Sequence, residues 1–168
     1  SEMCIRDRAY TTIDDPSKFF QILTYTGNAA ADRALTNTGN SDMQPDLIWI
    51  KVRNQDSSPM LQDSVRGSDG TSYKALKPSD DSAESTNSGF LTAIGSNGFT
   101  VGTNGKFNAS NDTYVAWCWK ESTTAGLDII DYDGSGSNTT ISHNLSAVPK
   151  TIWAVSYTHL TLPTSNGV

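Results

Sequence analysis

The sequence predicts an all-β protein, an antiparallel β-sandwich, and three observations carry that prediction. Short alternating segments rich in Val, Ile, Tyr, Phe and Trp follow one another in quick succession. Between them lie clusters of Gly, Ser, Thr, Asn and Asp, the residues that make turns. Ala, Leu, Glu and Lys never gather at helical spacing over any long window.

Taken in order, "FFQILTYTG" (Phe19 to Gly27) alternates and stops at a turn. "PDLIWIKVR" (Pro45 to Arg53) places Ile48, Ile50 and Val52 on one face and Leu47, Trp49 and Lys51 on the other, because successive side chains of a strand point to opposite sides. "SPMLQDSVRG" and "TSYKALKP" carry weaker patterns. After the polar loop "SDDSAESTNSG", the segments "FLTAIG" and "GFTVG" are split by Ser96-Asn97, a compact hairpin signal. "DTYVAWCWKE" (Asp112 to Glu121) alternates Val115, Trp117 and Trp119 against Ala116, Cys118 and Lys120. Apolar residues on both of its faces predict a central strand.

The chain also echoes itself. "FQILTYTGN" (Phe20 to Asn28) returns as "LDIIDYDGS" (Leu127 to Ser135), matching Ile22 with Ile129, Tyr25 with Tyr132 and Gly27 with Gly134. "PDLIWIKV" returns as "PKTIWAV", matching Pro45 with Pro149, Ile48 with Ile152 and Trp49 with Trp153. Self-similarity at a fixed period marks tandem modules. The expected organisation is a sandwich module over residues 9–121, a polar linker over 122–126, and the first hairpin of a second, truncated copy over 127–154.

The two ends read differently. If Met3-Cys4-Ile5-Arg6-Asp7 is written ATG TGT ATA AGA GAC, its reverse complement GTC TCT TAT ACA CAT encodes Val155-Ser156-Tyr157-Thr158-His159. One stretch of DNA read from opposite strands accounts for both, so residues 1–8 and 155–168 are expected to be translated sequencing adapter and are set aside from fold reasoning. Cys118 and His143 are then the remaining cysteine and histidine. A disulfide framework and metal sites built on Cys or His clusters are excluded for that stretch, and no metal or other cofactor is expected.

The formal charge is −6, from 18 acidic and 12 basic residues, which argues against a phosphate backbone as partner. No apolar run approaches the length of a membrane span.

"YTGN", "PDLIWIKVR", "LQDSVRG", "SNGFTVGTNGKFNASNDTYVAWCWK", "IIDYDGSG" and "SHNLSAVPKTIW", taken as an ordered series, cover nearly all of the sequence between the two ends. The series resembles an uncharacterised β-rich repeat domain of structural and tail-fibre-like proteins of tailed phages, of the marine type. That resemblance implies a concanavalin-like or jelly-roll sandwich; composition supports a sandwich without choosing its topology. It also implies a non-enzymatic virion module with other tail subunits as partners, and host-surface glycans as candidate ligands for weak, multivalent attachment. Homo-oligomers are compatible with such a role. A fragment of a surface-polysaccharide hydrolase and a bacterial surface adhesin module stay open as alternatives.

Candidate chemistry is weighed against this background. His143 lies in "TISHNLSAVP", whereas the corresponding "ALTNTGNSDMQP" has no histidine, so it is assigned to a turn or strand end and not to a catalytic triad. Asp63, Asp69, Asp80, Asp81, Glu84 and Asp112 are plentiful, yet hydrolysis needs two carboxylates at a defined separation across a cleft, and these are assigned to solvated loops. "DYDGSGSN" (Asp131 to Asn138) crowds oxygen ligands but lacks the twelfth-position glutamate of a calcium loop, so a plain turn is favoured. Asn108, Asn111, Asn138 and Asn144 head acceptor sequons that Asn/Ser/Thr-rich turns generate readily. An indole face suits a pyranose ring. Trp49, Lys51, Arg66 and Trp119 are therefore the candidate carbohydrate-contacting residues, with Trp49 and Trp119 expected to be partly exposed and Trp117 expected in the sandwich core. Arg66 is better explained as the salt-bridge partner of Asp63.

Overall fold

The computed structural model describes residues 13–155. The elements come in the order β1 (Phe20–Thr26), β2 (Arg33–Thr36), β3 (Leu47–Val52), β4 (Met60–Asp63), β5 (Ala75–Leu76), β6 (Leu91–Gly95), β7 (Gly98–Val101), a single helical turn α1 (Gly105–Asn108) and β8 (Thr113–Trp119). They form two antiparallel sheets, a five-stranded one in the order β1-β8-β3-β4-β5 and a three-stranded one in the order β2-β7-β6. This is the all-β sandwich the alternation predicts. β8 lies between β1 and β3, the central position that its two apolar faces foretell.

The core sits between the sheets. Ile48, Ile50 and Val52 from β3 and Tyr114, Ala116 and Cys118 from β8 meet Leu35, Leu91, Phe99 and Val101 of the small sheet, with Phe107 of α1 plugging one end. Small side chains at Ala116 and Cys118 let the second sheet approach closely. Trp117, expected in this core, projects from the opposite face, because the inward positions of β8 belong to Tyr114, Ala116 and Cys118, each with no exposed surface. Burial lifts the Cys118 thiol to about 12, so it stays neutral among apolar neighbours.

Polar side chains hold the crossings between sheets. The Asn108 carboxamide accepts from the backbone N–H of Asn28 and donates to the Ala30 carbonyl, fixing the passage from β1 to β2. Gln21 donates to the Ser17 and Ser41 carbonyls and accepts from Gly39, tying β1 to the loop after β2. The β6–β7 hairpin turns through Gly98 at φ +128, where a Cβ would collide with the Leu35 carbonyl, so glycine is required there.

Beyond β8 the chain changes character. The strand-turn-strand expected over 127–153 is not formed among the described residues, and most side chains there are exposed, Ile152 at 78% and Trp153 at 64%. The topology gives the reason. Within the sandwich β1 and β3 never pair with each other; both pair with β8. The stretch 127–155 echoes β1 and β3 but holds no counterpart of β8, so its two strand sequences share no partner and have no hairpin to make. One local feature does recur. Asp15 accepts from the backbone N–H of Ser17 just before β1, and 107 residues on Ser122 accepts from the N–H of Thr124 just before the echo of β1.

Candidate functional site

The face of the five-stranded sheet turned away from the core is built of apolar and aromatic side chains. Register places Ile22 beside Trp117, Trp117 beside Trp49, Trp49 beside Leu61 and Leu61 beside Leu76, a continuous row across all five strands. The adjoining row runs Phe20, Trp119, Leu47 and Asp63. Each position follows from the two-residue period, since the core consumes the alternate residues.

Within this face Trp49 and Trp117 meet edge-on with centroids 6.1 Å apart, and Phe20 lies tilted against Trp119 at 5.2 Å. Both geometries suit the ring quadrupoles. Trp49 and Trp119 are half-buried, as the neighbouring lysines suggested. The Trp49 indole Nε1 is buried and has no hydrogen-bond partner among the described residues. Phe20 and Trp119 also line a cleft of ≈ 220 Å³ with Ile13, Pro16, Phe19 and Leu127.

The other two candidates stand apart. Lys51 shares the outer face, but its ammonium donates to the Val52 carbonyl at 2.8 Å and to Gln55 at 3.3 Å, at the end of its own strand. Arg66 is engaged by Asp63 at 2.6 Å and by Glu84 at 3.3 Å, and its remaining nitrogen reaches the carbonyls of Leu61 and Lys74. Its donors staple β4 to β5, so the guanidinium is an internal brace as the "DSVRG" spacing predicts. Asp63, expected in a loop, is the buried last residue of β4 and accepts from the N–H groups of Val65 and Arg66. Burial pushes the Glu84 carboxyl up, but Lys74 and then Arg66 more than offset it and hold it below its ordinary value. Trp49, Lys51 and Trp119 thus share one face, whereas Arg66 belongs to a salt-bridge network.

The other residues singled out fall as follows. His143 is exposed and its Nδ1 accepts from the Leu145 N–H. Residues 131–138 form an exposed, irregular turn. Asn108 is fully buried and spent on hydrogen bonds, so its sequon presents no accessible side chain. Among the described residues no group of three or more His, Cys, Asp or Glu could hold a metal ion, and no helix is long and apolar enough to cross a membrane. Sequence reasoning missed Trp117, Ile22, Leu61 and Leu76 as members of the outer face; the register between strands, which one strand's alternation does not contain, brings them together.

These features define a two-sheet antiparallel sandwich with an apolar, aromatic outer face on its larger sheet. The chain belongs to the family described as a domain of unknown function (DUF7483), whose model matches residues 15–161. No curated protein and no solved structure matches the chain.

Proposed function

We propose that this chain is a non-enzymatic β-sandwich module of a repeated virion protein, of the tail or tail-fibre type, which works through contact surfaces. The observation that carries this reading is the row Ile22, Trp117, Trp49, Leu61 and Leu76, an apolar path across five strands on the side away from the core. Ile22 at one end of the row is 53% exposed, whereas Leu76 at the other is already covered, and apolar surface left open in this way marks interaction sites. The internal echo supports it too, because a module that repeats along a chain has a neighbour to contact. Other tail subunits are the partners this reading assigns.

Sequencing the DNA on either side of the coding region tests the reading. Neighbouring reading frames for tail or baseplate proteins are the expected result; neighbours for secretion and cell-wall proteins would point instead to a bacterial surface adhesin.

A further inference from the structure

The stretch that echoes the first module also lies against it, and the contacts follow a rule. Leu127 is the counterpart of Phe20, and it lines the same cleft as Phe20 and Trp119. Trp153 is the counterpart of Trp49, and the two indoles meet edge-on with centroids 6.3 Å apart. At two places, therefore, a residue and its echo share one spot, in edge contact for the two indoles and on a common cleft for Phe20 and Leu127. That pattern identifies an isologous contact, in which the same patch of two like units meets across a two-fold axis. For two sheet faces the axis lies in the plane of the contact, so a line of residues can self-pair; here it runs from Phe20 to Trp49.

We infer that this module and the one that follows it pair like face to like face through the outer surfaces of their five-stranded sheets, with Trp49 against Trp153 and Phe20 against Leu127. The inference rests on the repeat reading proposed above and names the partner of that face as the following module. Charge agrees with it. The echo strand carries Asp128, Asp131 and Asp133, while Lys51, Lys74 and Lys77 stand on or beside the first module's larger sheet. Asp131 lies near enough to Lys74 to add to the effect of Glu84 in keeping that ammonium charged. The chain continues along the face, and Ala154 lines a cleft of ≈ 270 Å³ with Leu61 and Leu76.

The 168-residue chain labelled with 5-fluorotryptophan tests this. Each indole gives one fluorine resonance, assigned by single Trp→Phe substitutions. Trp153→Ala is expected to move the Trp49 resonance by more than its linewidth, whereas Ile152→Ala, at a more exposed neighbour, leaves it in place. A Trp49 resonance indifferent to Trp153 overturns the docking, and so does a shift that vanishes on dilution, which would make a second chain the occupant. Proteolysis within Ser122 to Gly126 separates this from the underlying reading: loss of cooperative melting in the remaining sandwich would show that 127–155 is integral to the first module and would sink the repeat itself.

Discussion

Phe20 to Gly27 and Leu127 to Gly134 are two versions of one motif in one chain, and only the first is a strand. Their alternation and their Tyr-x-Gly endings match. What differs is the company. Phe20–Thr26 pairs residue for residue with Thr113–Trp119 and is pinned at its ends by Asn108 and Gln21, whereas the stretch from Leu127 has no strand to pair with. β-propensity describes fitness for a pleated, half-buried surface, and another strand must provide that surface.

The harshest way to break the comparison is to take β8 from the first copy. Ala116→Asp places an unpaired carboxylate at a position with no exposed surface and is expected to cost about 3–5 kcal/mol. Far-ultraviolet dichroism and urea unfolding should show the sandwich losing its strands.

A smaller effect comes from the clamp on the β1-to-β2 crossing. Asn108→Ala leaves the Asn28 N–H and the Ala30 carbonyl without their partner, at about 1–3 kcal/mol. The urea midpoint should fall with an unchanged slope.

Cys118 offers a pH-dependent probe of the same strand. Its folded value, raised by burial to about 12, lies above the ordinary 9.0, so the fold favours the protonated thiol. The sign follows: this contribution is complete below pH 9.0 and is lost as pH rises toward 12, because the unfolded chain ionises first. Cys118→Ser should flatten part of the alkaline decline in melting temperature, and in the unsubstituted chain the Cys118 peptide should alkylate only as fast as the module opens.

The gentlest change sharpens the other side of the comparison. Ile152 stands in the echo of β3 at 78% exposure, whereas its counterpart Ile48 is at 1%. Ile152→Ala should change stability by less than about 0.5 kcal/mol, and Ile48→Ala by about 2–5 kcal/mol. Thermal melts of the two variants side by side would show it.

Much of this was legible in the sequence, and the exceptions have physical causes. β1, β3 and β8 stand out because six or seven residues alternate with large apolar side chains. β2 does not, since only Leu35 of its four residues is buried in the core and Asn and Thr flank it. Trp117 was misassigned because both faces of β8 are apolar, and nothing within one strand says which face the second sheet will cover. The Asp63–Arg66 pair was readable because its partners are three residues apart. The outer row was not, since it joins residues from five strands through their register. The echo was visible as sequence, but its failure to form strands depends on pairing order, β1 and β3 on either side of β8.

Amide hydrogen exchange on the whole chain bears most directly on the claim that the motif becomes a strand only beside β8. The account predicts slow exchange at alternate amides of Phe20–Thr26 and near-unprotected exchange across residues 130–133 under the same conditions. Equal protection in both stretches would contradict it, because the second copy would then have found a partner strand without a β8 of its own.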